Sequence, residues 1–244
     1  MSLTRSVTDK PTRMAHKILP HKGLVEIAPG LWQVEGSLPF PLKRNMTVVK
    51  LSSGGLLIYS AIALDEAGMA ELEKLGKPEV IIVPQPFHTM DLAFYKLRYP
   101  GLKVLGAEVG EVYNGVTVEG DVVKGLNDPR VSATLAPGLK THEIHLFVKI
   151  PGGNALVVCD LFAGDDCYAT GLGAKLAKLI MGTANGGFGI AKIVKWRQLA
   201  DRPVVKKYIS DLAADTSLKL VLVCHGAPLS LNIGAGLLAA AGVL

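Results

Sequence analysis

Three polar side chains stand directly behind short apolar runs. His88 follows Val80 to Val83, Asp160 follows Ala155 to Cys159, and His225 follows Leu218 to Val223, with Cys224 between. Such runs read as strands buried on both faces. Strand ends on one edge of a sheet converge in space from distant points in the sequence, and open sheets carry their chemistry there. Two imidazoles and a carboxylate form a donor set for zinc, iron or manganese. Each residue also has a plainer reading alone: a histidine after a strand as a hydrogen-bonded loop residue, an aspartate as a turn or helix cap.

Other candidates carry weaker signals. His142 and His145 are three residues apart, which does not suit one strand face, because side chains alternate with period two. His145 sits among Ile144, Leu146 and Phe147 as a core-edge histidine, whereas His142 precedes that strand and is a second-tier candidate to reach a cleft. Cys159 and Cys224 lie in apolar strands, which favours inert thiols; Cys167 lies in a polar loop and reads as the more accessible one. Gly171-Leu172-Gly173 has no preceding strand and no Lys-Ser pair, so it is no phosphate loop. There is no Gly-x-Ser-x-Gly elbow and no convincing serine nucleophile.

The elements that must position these residues follow from pattern. Leu31 to Glu35, Met46 to Leu51 and Leu56 to Ser60 read as an antiparallel opening of strands, with a turn at Gly54-Gly55. Asp65 or Glu66 caps a helix running to Leu75 and stopping at Gly76. Val80 to Val83, a helix from Asp91 to Arg98 and a strand from Lys103 to Leu105 make a strand-helix-strand unit. Strands return at Val131 to Leu135, Glu143 to Lys149 and Ala155 to Cys159. Helices are expected over Ala174 to Met181, Ile190 to Leu199 and Pro203 to Ala214, before a last strand at Leu218 to Val223. The pattern implies two sheets packed together with helices outside.

A chain of 244 residues with 49% apolar content can fill a large core. The net charge of +5 is spread along the chain with no block of like charges, which argues against nucleic-acid binding. Three cysteines without a Cys-x-x-Cys pair suit a reducing compartment, and no apolar leader opens the sequence, so a cytoplasmic location is expected. Residues 1–22 read as a loosely ordered arm, 23–230 as one domain, and 231–244 as an apolar C-terminal helix or tail. That tail is shorter than the roughly 20 residues a membrane span needs. It offers a contact for a homo-oligomer.

Several segments together resemble the metallo-β-lactamase superfamily over about residues 24–228. They are Gly30-Leu31-Trp32-Gln33-Val34-Glu35-Gly36, Asn45-Met46-Thr47-Val48-Val49, Gly54-Gly55-Leu56-Leu57-Ile58-Tyr59-Ser60, Leu156-Val157-Val158-Cys159-Asp160 and Val221-Leu222-Val223-Cys224-His225-Gly226. The Met-Thr-Val-Val and Ala-Leu-Asp-Glu phrases resemble more closely a branch of that superfamily to which no function is assigned. The resemblance implies an α+β fold, an αββα sandwich of two mixed sheets with outer helices.

It also implies which ligands are missing. The family's His-x-His-x-Asp-His cluster falls on Pro84, Pro86, His88 and Thr89, and its Pro-Gly-His on Pro137-Gly138-Leu139. Pro84, Pro86 and Leu139 cannot bind a metal, so one of two metal sites is lost. Restoring all three as histidines should recover its ligands. The other keeps His88, Asp160 and His225, unless the register slips to use Asp91. The expectation is one zinc, iron or manganese ion, or none. The corresponding function is a mononuclear hydrolase of a small ester, amide or lactone; the alternative is a metal-free binding or regulatory protein on a degenerate hydrolase scaffold. Either takes a small molecule as partner. The two prolines fix φ near −65° and restrict their predecessors, which predicts a stiff, extended loop at 84–86.

Overall fold

A computed structural model describes residues 16–164, 166–183 and 187–244. Residues 1–15 of the expected N-terminal arm lie outside the described residues, as does part of the glycine-rich segment around 182–189. Of the remaining arm, Ser37 N donates to Pro20 O and Lys22 N to Glu35 O, both at 2.8 Å, so this stretch is tied to the first sheet.

The first sheet holds β1 (Val25–Ala28), β2 (Leu31–Ser37), β3 (Lys43–Lys50), β4 (Leu56–Tyr59), β5 (Pro78–Ile82), β6 (Lys103–Gly106) and, beyond a small hairpin of β7 (Val112–Tyr113) and β8 (Val116–Thr117), β9 (Gly120–Asp121). Pairing is antiparallel from β1 to β4 and parallel from β4 through β5 and β6 to β9. The second sheet runs β10 (Val131–Leu135), β11 (Ile144–Ile150), β12 (Gly153–Val158), β13 (Leu218–Val223), antiparallel except for the parallel β12–β13 pair. The helices are α1 (Glu66–Leu75), α2 (Leu92–Arg98), α3 (Val122–Gly125), α4 (Leu172–Met181), α5 (Lys192–Arg197), α6 (Arg202–Ala214) and α7 (Ile233–Ala241).

Period two sorts the side chains into three apolar layers. Leu57, Tyr59 and Ile82 meet Ile144, Leu146, Val157 and Leu222 between the sheets. Leu56, Ile58 and Ile81 face outward against Met69 and Leu72 of α1 and Leu92 and Tyr95 of α2. Leu156, Val158, Val221 and Val223 face the other way, against Val205 and Ile209 of α6 and Leu237 and Ala240 of α7. The result is the expected αββα sandwich of two mixed sheets. Among the described residues no helix is long and apolar enough to cross a membrane.

Local expectations differ from the structure in few places. The helix expected over Ile190 to Leu199 is confined to Lys192–Arg197, because Ala191 bridges to Thr183 and Leu199 to Leu139. β1, β7, β8, β9 and α3 are too short for their periodicity to stand out. Cys167 is buried, against the expectation of an accessible thiol. Its loop folds onto β3, where the Cys167 carbonyl accepts from Lys43 N at 2.7 Å.

Candidate metal centre

His88, Asp160 and His225 come together at one end of the sandwich, with one donor atom from each within 4.8 Å of the others. His88 Nε2 lies 3.1 Å and His225 Nε2 3.2 Å from the same oxygen, Asp160 Oδ1. A four-coordinate zinc with bonds near 2.1 Å separates neighbouring donors by roughly 3.4 Å. The two distances to Asp160 Oδ1 are near that spacing, and the His88–His225 separation is within 4.8 Å. All three line a cavity of about 740 Å³, largely walled by apolar side chains such as Leu42, Phe87, Met90 and Val194.

Each ring is oriented from behind. His225 Nδ1 donates to the Lys43 carbonyl at 2.6 Å, and His88 Nδ1 is 2.9 Å from Ser60 Oγ. Such partners fix the tautomer and direction of a metal-binding imidazole. Ser60 holds its place in the left-handed region, φ 57°, right after β4. Strain of this kind persists where the surroundings over-determine the backbone. The Lys43 bond has an electrostatic consequence. A carbonyl only accepts, so the proton of a neutral His225 ring sits on Nδ1, and its bare Nε2 faces a carboxylate oxygen. Two lone pairs at 3.2 Å need a cation between them, either a second ring proton or a metal ion.

Charge at the centre is coupled. Burial works to lower the pKa of His88, but the Asp160 charge and its hydrogen bond outweigh that and hold it well above the ordinary histidine value. Burial likewise works to raise Asp160, and the two imidazoles hold it well below the carboxylate range. His88 also reaches Cys159 and Cys224, which end neighbouring parallel strands. Burial pushes the Cys159 thiol up. For Cys224 burial works upward too, yet hydrogen bonds with Cys159 and His88 bring it to about 6; both thiols are buried, as expected.

The loop after β5 is not extended. His88 N donates to Gln85 O at 3.1 Å, closing a turn with Pro86 at its second position, where a fixed φ near −65° is favourable. The turn sends Gln85 inward, where its amide donates to Asp160 Oδ2. Pro84 and Pro86 line a small neighbouring cavity instead, and Thr89 Oγ1 turns back to the Pro86 carbonyl. Leu139 bridges to Leu199. Asp91, the alternative under a slipped register, is buried in an ion pair with Arg44 and accepts from Ala63 N at 2.9 Å. His142 stays apart, half-exposed, 3.7 Å from Glu108.

Glu143 is the residue that the sequence reading missed. Its carboxylate is fully buried and accepts from three successive backbone amides, Cys159 N (2.9 Å), Asp160 N (3.1 Å) and Leu161 N (2.9 Å). It also meets His145 Nε2 at 2.9 Å, and His145 Nδ1 lies 2.8 Å from the Tyr208 hydroxyl. This clamp fixes the turn that carries Asp160. A signal was present: Glu143 and His145, two apart, share one strand face, and two polar residues facing a core need each other.

No protein-family model matches the sequence, and no curated protein matches it by sequence. Solved structures do match. A metallo-β-lactamase from Erythrobacter litoralis aligns with 91% of this chain and 92% of its own, at 13% identity and a TM-score of 0.55. One from Hirschia baltica gives 92% and 98%, 13% and 0.56. FIM-1 from Pseudomonas aeruginosa, in a mono-zinc form, gives 93% and 97%, 14% and 0.57. These alignments cover more than nine tenths of the chain, and it has the metallo-β-lactamase fold.

Proposed function

We propose that the protein is a mononuclear metal-dependent hydrolase of a small ester, amide or lactone, with one zinc, iron or manganese ion held by His88, Asp160 and His225. The observation that supports this is the His225 geometry: its Nδ1 proton is committed to Lys43, which leaves Nε2 facing Asp160 Oδ1 at 3.2 Å with room for a bridging cation. Three protein ligands with one open position is the arrangement of catalytic zinc. An ion bound there supplies Lewis-acid activation of water and of a carbonyl group.

The remaining groups bind and orient. Arg44 Nε, Thr141 Oγ1 and Gln198 Oε1 are buried without a hydrogen-bond partner among the described residues, and all three residues line the cavity. Buried polar atoms left unpaired are expensive, so a substrate's polar end would satisfy them. The apolar walls take its hydrocarbon part and exclude water. Gln85 holds the second Asp160 oxygen and keeps that carboxylate aimed at the two imidazoles.

A second reading has its own support. A proton can replace the ion, because both imidazoles lie within 3.2 Å of Asp160 Oδ1 and Gln85 occupies its other oxygen. The protein would then be a metal-free binding protein on a degenerate hydrolase scaffold. Metal analysis of protein purified without added metal separates the two. The first expects close to one equivalent, and ester hydrolysis that a chelator abolishes and added metal restores. Less than about a tenth of an equivalent, with no binding of added zinc or manganese, would leave the second.

A further inference from the structure

The helix beside the cavity is turned inside out. In α4 only Ala174 is buried, whereas Leu172, Leu176, Leu179 and Ile180 are between 57% and 85% exposed. Their spacing is that of one helical stripe, within an arc of about 100°. Ala174 and the cavity-lining Met181 lie on the opposite side. The stripe therefore faces away from the protein. α5 packs next to the end of α4, where Lys192 N donates to Gly182 O, and adds Trp196 at 82% exposure. Both helices also line the cavity, through Met181, Ile193 and Arg197, and its rim carries exposed Phe40 and Phe87.

The charge along this segment has one sign. From Cys167 to Ala200 the sequence contains no acidic residue and the cations Lys175, Lys178, Lys192, Lys195 and Arg197. Lys175 falls between the apolar stripe and the inward side of α4, at the flank where a long cationic side chain reaches polar headgroups while its stem covers apolar surface. Exposed leucines, a tryptophan and flanking lysines on a short amphipathic element are the composition of a membrane-interfacial helix. A second copy of the chain suits the surface poorly. A two-fold contact would set these cations against themselves, and lysine is depleted from protein interfaces.

We infer that the outward face of α4 and α5 docks on an anionic lipid surface, with the cavity mouth beside the bilayer. The inference stands whether or not His88, Asp160 and His225 hold a metal, because lipid binding is measured without catalysis. An apolar cavity opening among membrane-docked side chains would receive its substrate from the lipid phase.

Flotation with vesicles tests it. The full chain is mixed with vesicles of phosphatidylcholine alone, or of phosphatidylcholine with phosphatidylglycerol. The protein should float with the anionic vesicles and be released by salt. Trp196 emission should shift to shorter wavelength, with Trp196→Phe separating it from Trp32. Leu176→Glu with Leu179→Glu should weaken anionic partitioning at least about tenfold, and so should Lys175→Glu with Lys195→Glu, which leaves the apolar stripe intact. Unchanged thermal melts would show that these surface variants fold, and either pair suffices if the other does not. No flotation with anionic vesicles at low salt would overturn the inference. So would equal, salt-insensitive flotation with both vesicle types. A dimer in sedimentation velocity that Leu176→Glu with Leu179→Glu abolishes would assign the face to a second copy and overturn it as well.

Discussion

Glu143 offers the sharpest test of how the centre is held. Its Oε1 accepts from Cys159 N and meets His145 Nε2, and its Oε2 accepts from Asp160 N and Leu161 N. In Glu143→Gln the amide nitrogen does least harm at the Oε1 position, where His145 can change tautomer and accept from it. Only Cys159 N then loses its partner, at about 1–3 kcal/mol for one buried orphaned donor. Glu143→Leu keeps the volume but orphans all three backbone amides, so its cost is about 3–9 kcal/mol. That is comparable with the whole stability of a typical domain, about 5–15 kcal/mol. Urea titration followed by circular dichroism should therefore show a modest midpoint shift for the glutamine variant and a largely unfolded leucine variant. The glutamine variant should also bind zinc more weakly, because Asp160 rides on the clamped turn. A leucine variant within about 1 kcal/mol of the parent would refute the clamp.

Further outcomes follow from the same geometry. The triple change Pro84→His, Pro86→His and Leu139→His is expected to add no second metal, because positions 84 and 86 face the neighbouring small cavity; a second equivalent by elemental analysis would show that the turn can be re-aimed. Zinc must displace the His88 proton and the proton held between His225 Nε2 and Asp160, so its affinity should rise at least about tenfold per pH unit below the raised His88 value and more gently above it. A calorimetric affinity that is flat with pH would contradict the ion pair. In the metal-free protein the raised His88 contributes stability at low pH that is lost as pH rises through its folded value. The lowered Asp160 contributes stability above its unfolded value that is lost as pH falls through its folded one. Thermal melts should therefore be highest between the two. Arg44→Met removes the permanent cation beside buried Asp91, leaving His16 Nε2 (2.7 Å) and Ala63 N (2.9 Å) as its partners, and should cost about 1–3 kcal/mol by urea titration; no measurable cost would mean that those two satisfy Asp91 alone.

The sandwich was legible because its strands are pure: Leu57 and Tyr59 face one layer while Leu56 and Ile58 face the other, and all four are apolar. The convergence of His88, Asp160 and His225 was legible for a related reason. Each follows a strand buried on both faces, and the ends of such strands gather at one edge of the sandwich. What the sequence concealed was direction. Pro84 and Pro86 read as rigid and extended, yet proline at the second position of a turn reverses the chain, and Gln85 became the inward residue. The spacing of Glu143 and His145 signalled that the two pair, but not that Glu143 also holds the backbone amides of residues 159–161. The outward stripe of α4 obeys helical period perfectly, so periodicity alone gives no hint that it faces away from the core.

The centre also has a place in time. His88 belongs to the first sheet and is 72 residues from Asp160, which with His225 belongs to the second. The donor set exists only after both sheets have formed and docked, and contacts of such separation close late. A metal bound there cannot nucleate folding. It ties the two halves together after the barrier has been crossed, so its stabilisation appears in the unfolding rate. Stopped-flow measurements should find zinc slowing unfolding while leaving the refolding rate alone; faster refolding with zinc would mean that the halves meet early. A protein of this construction that bound a metal there would be protected chiefly by staying folded longer, and its loss to proteolysis in metal-poor conditions would be governed by how often the two sheets part.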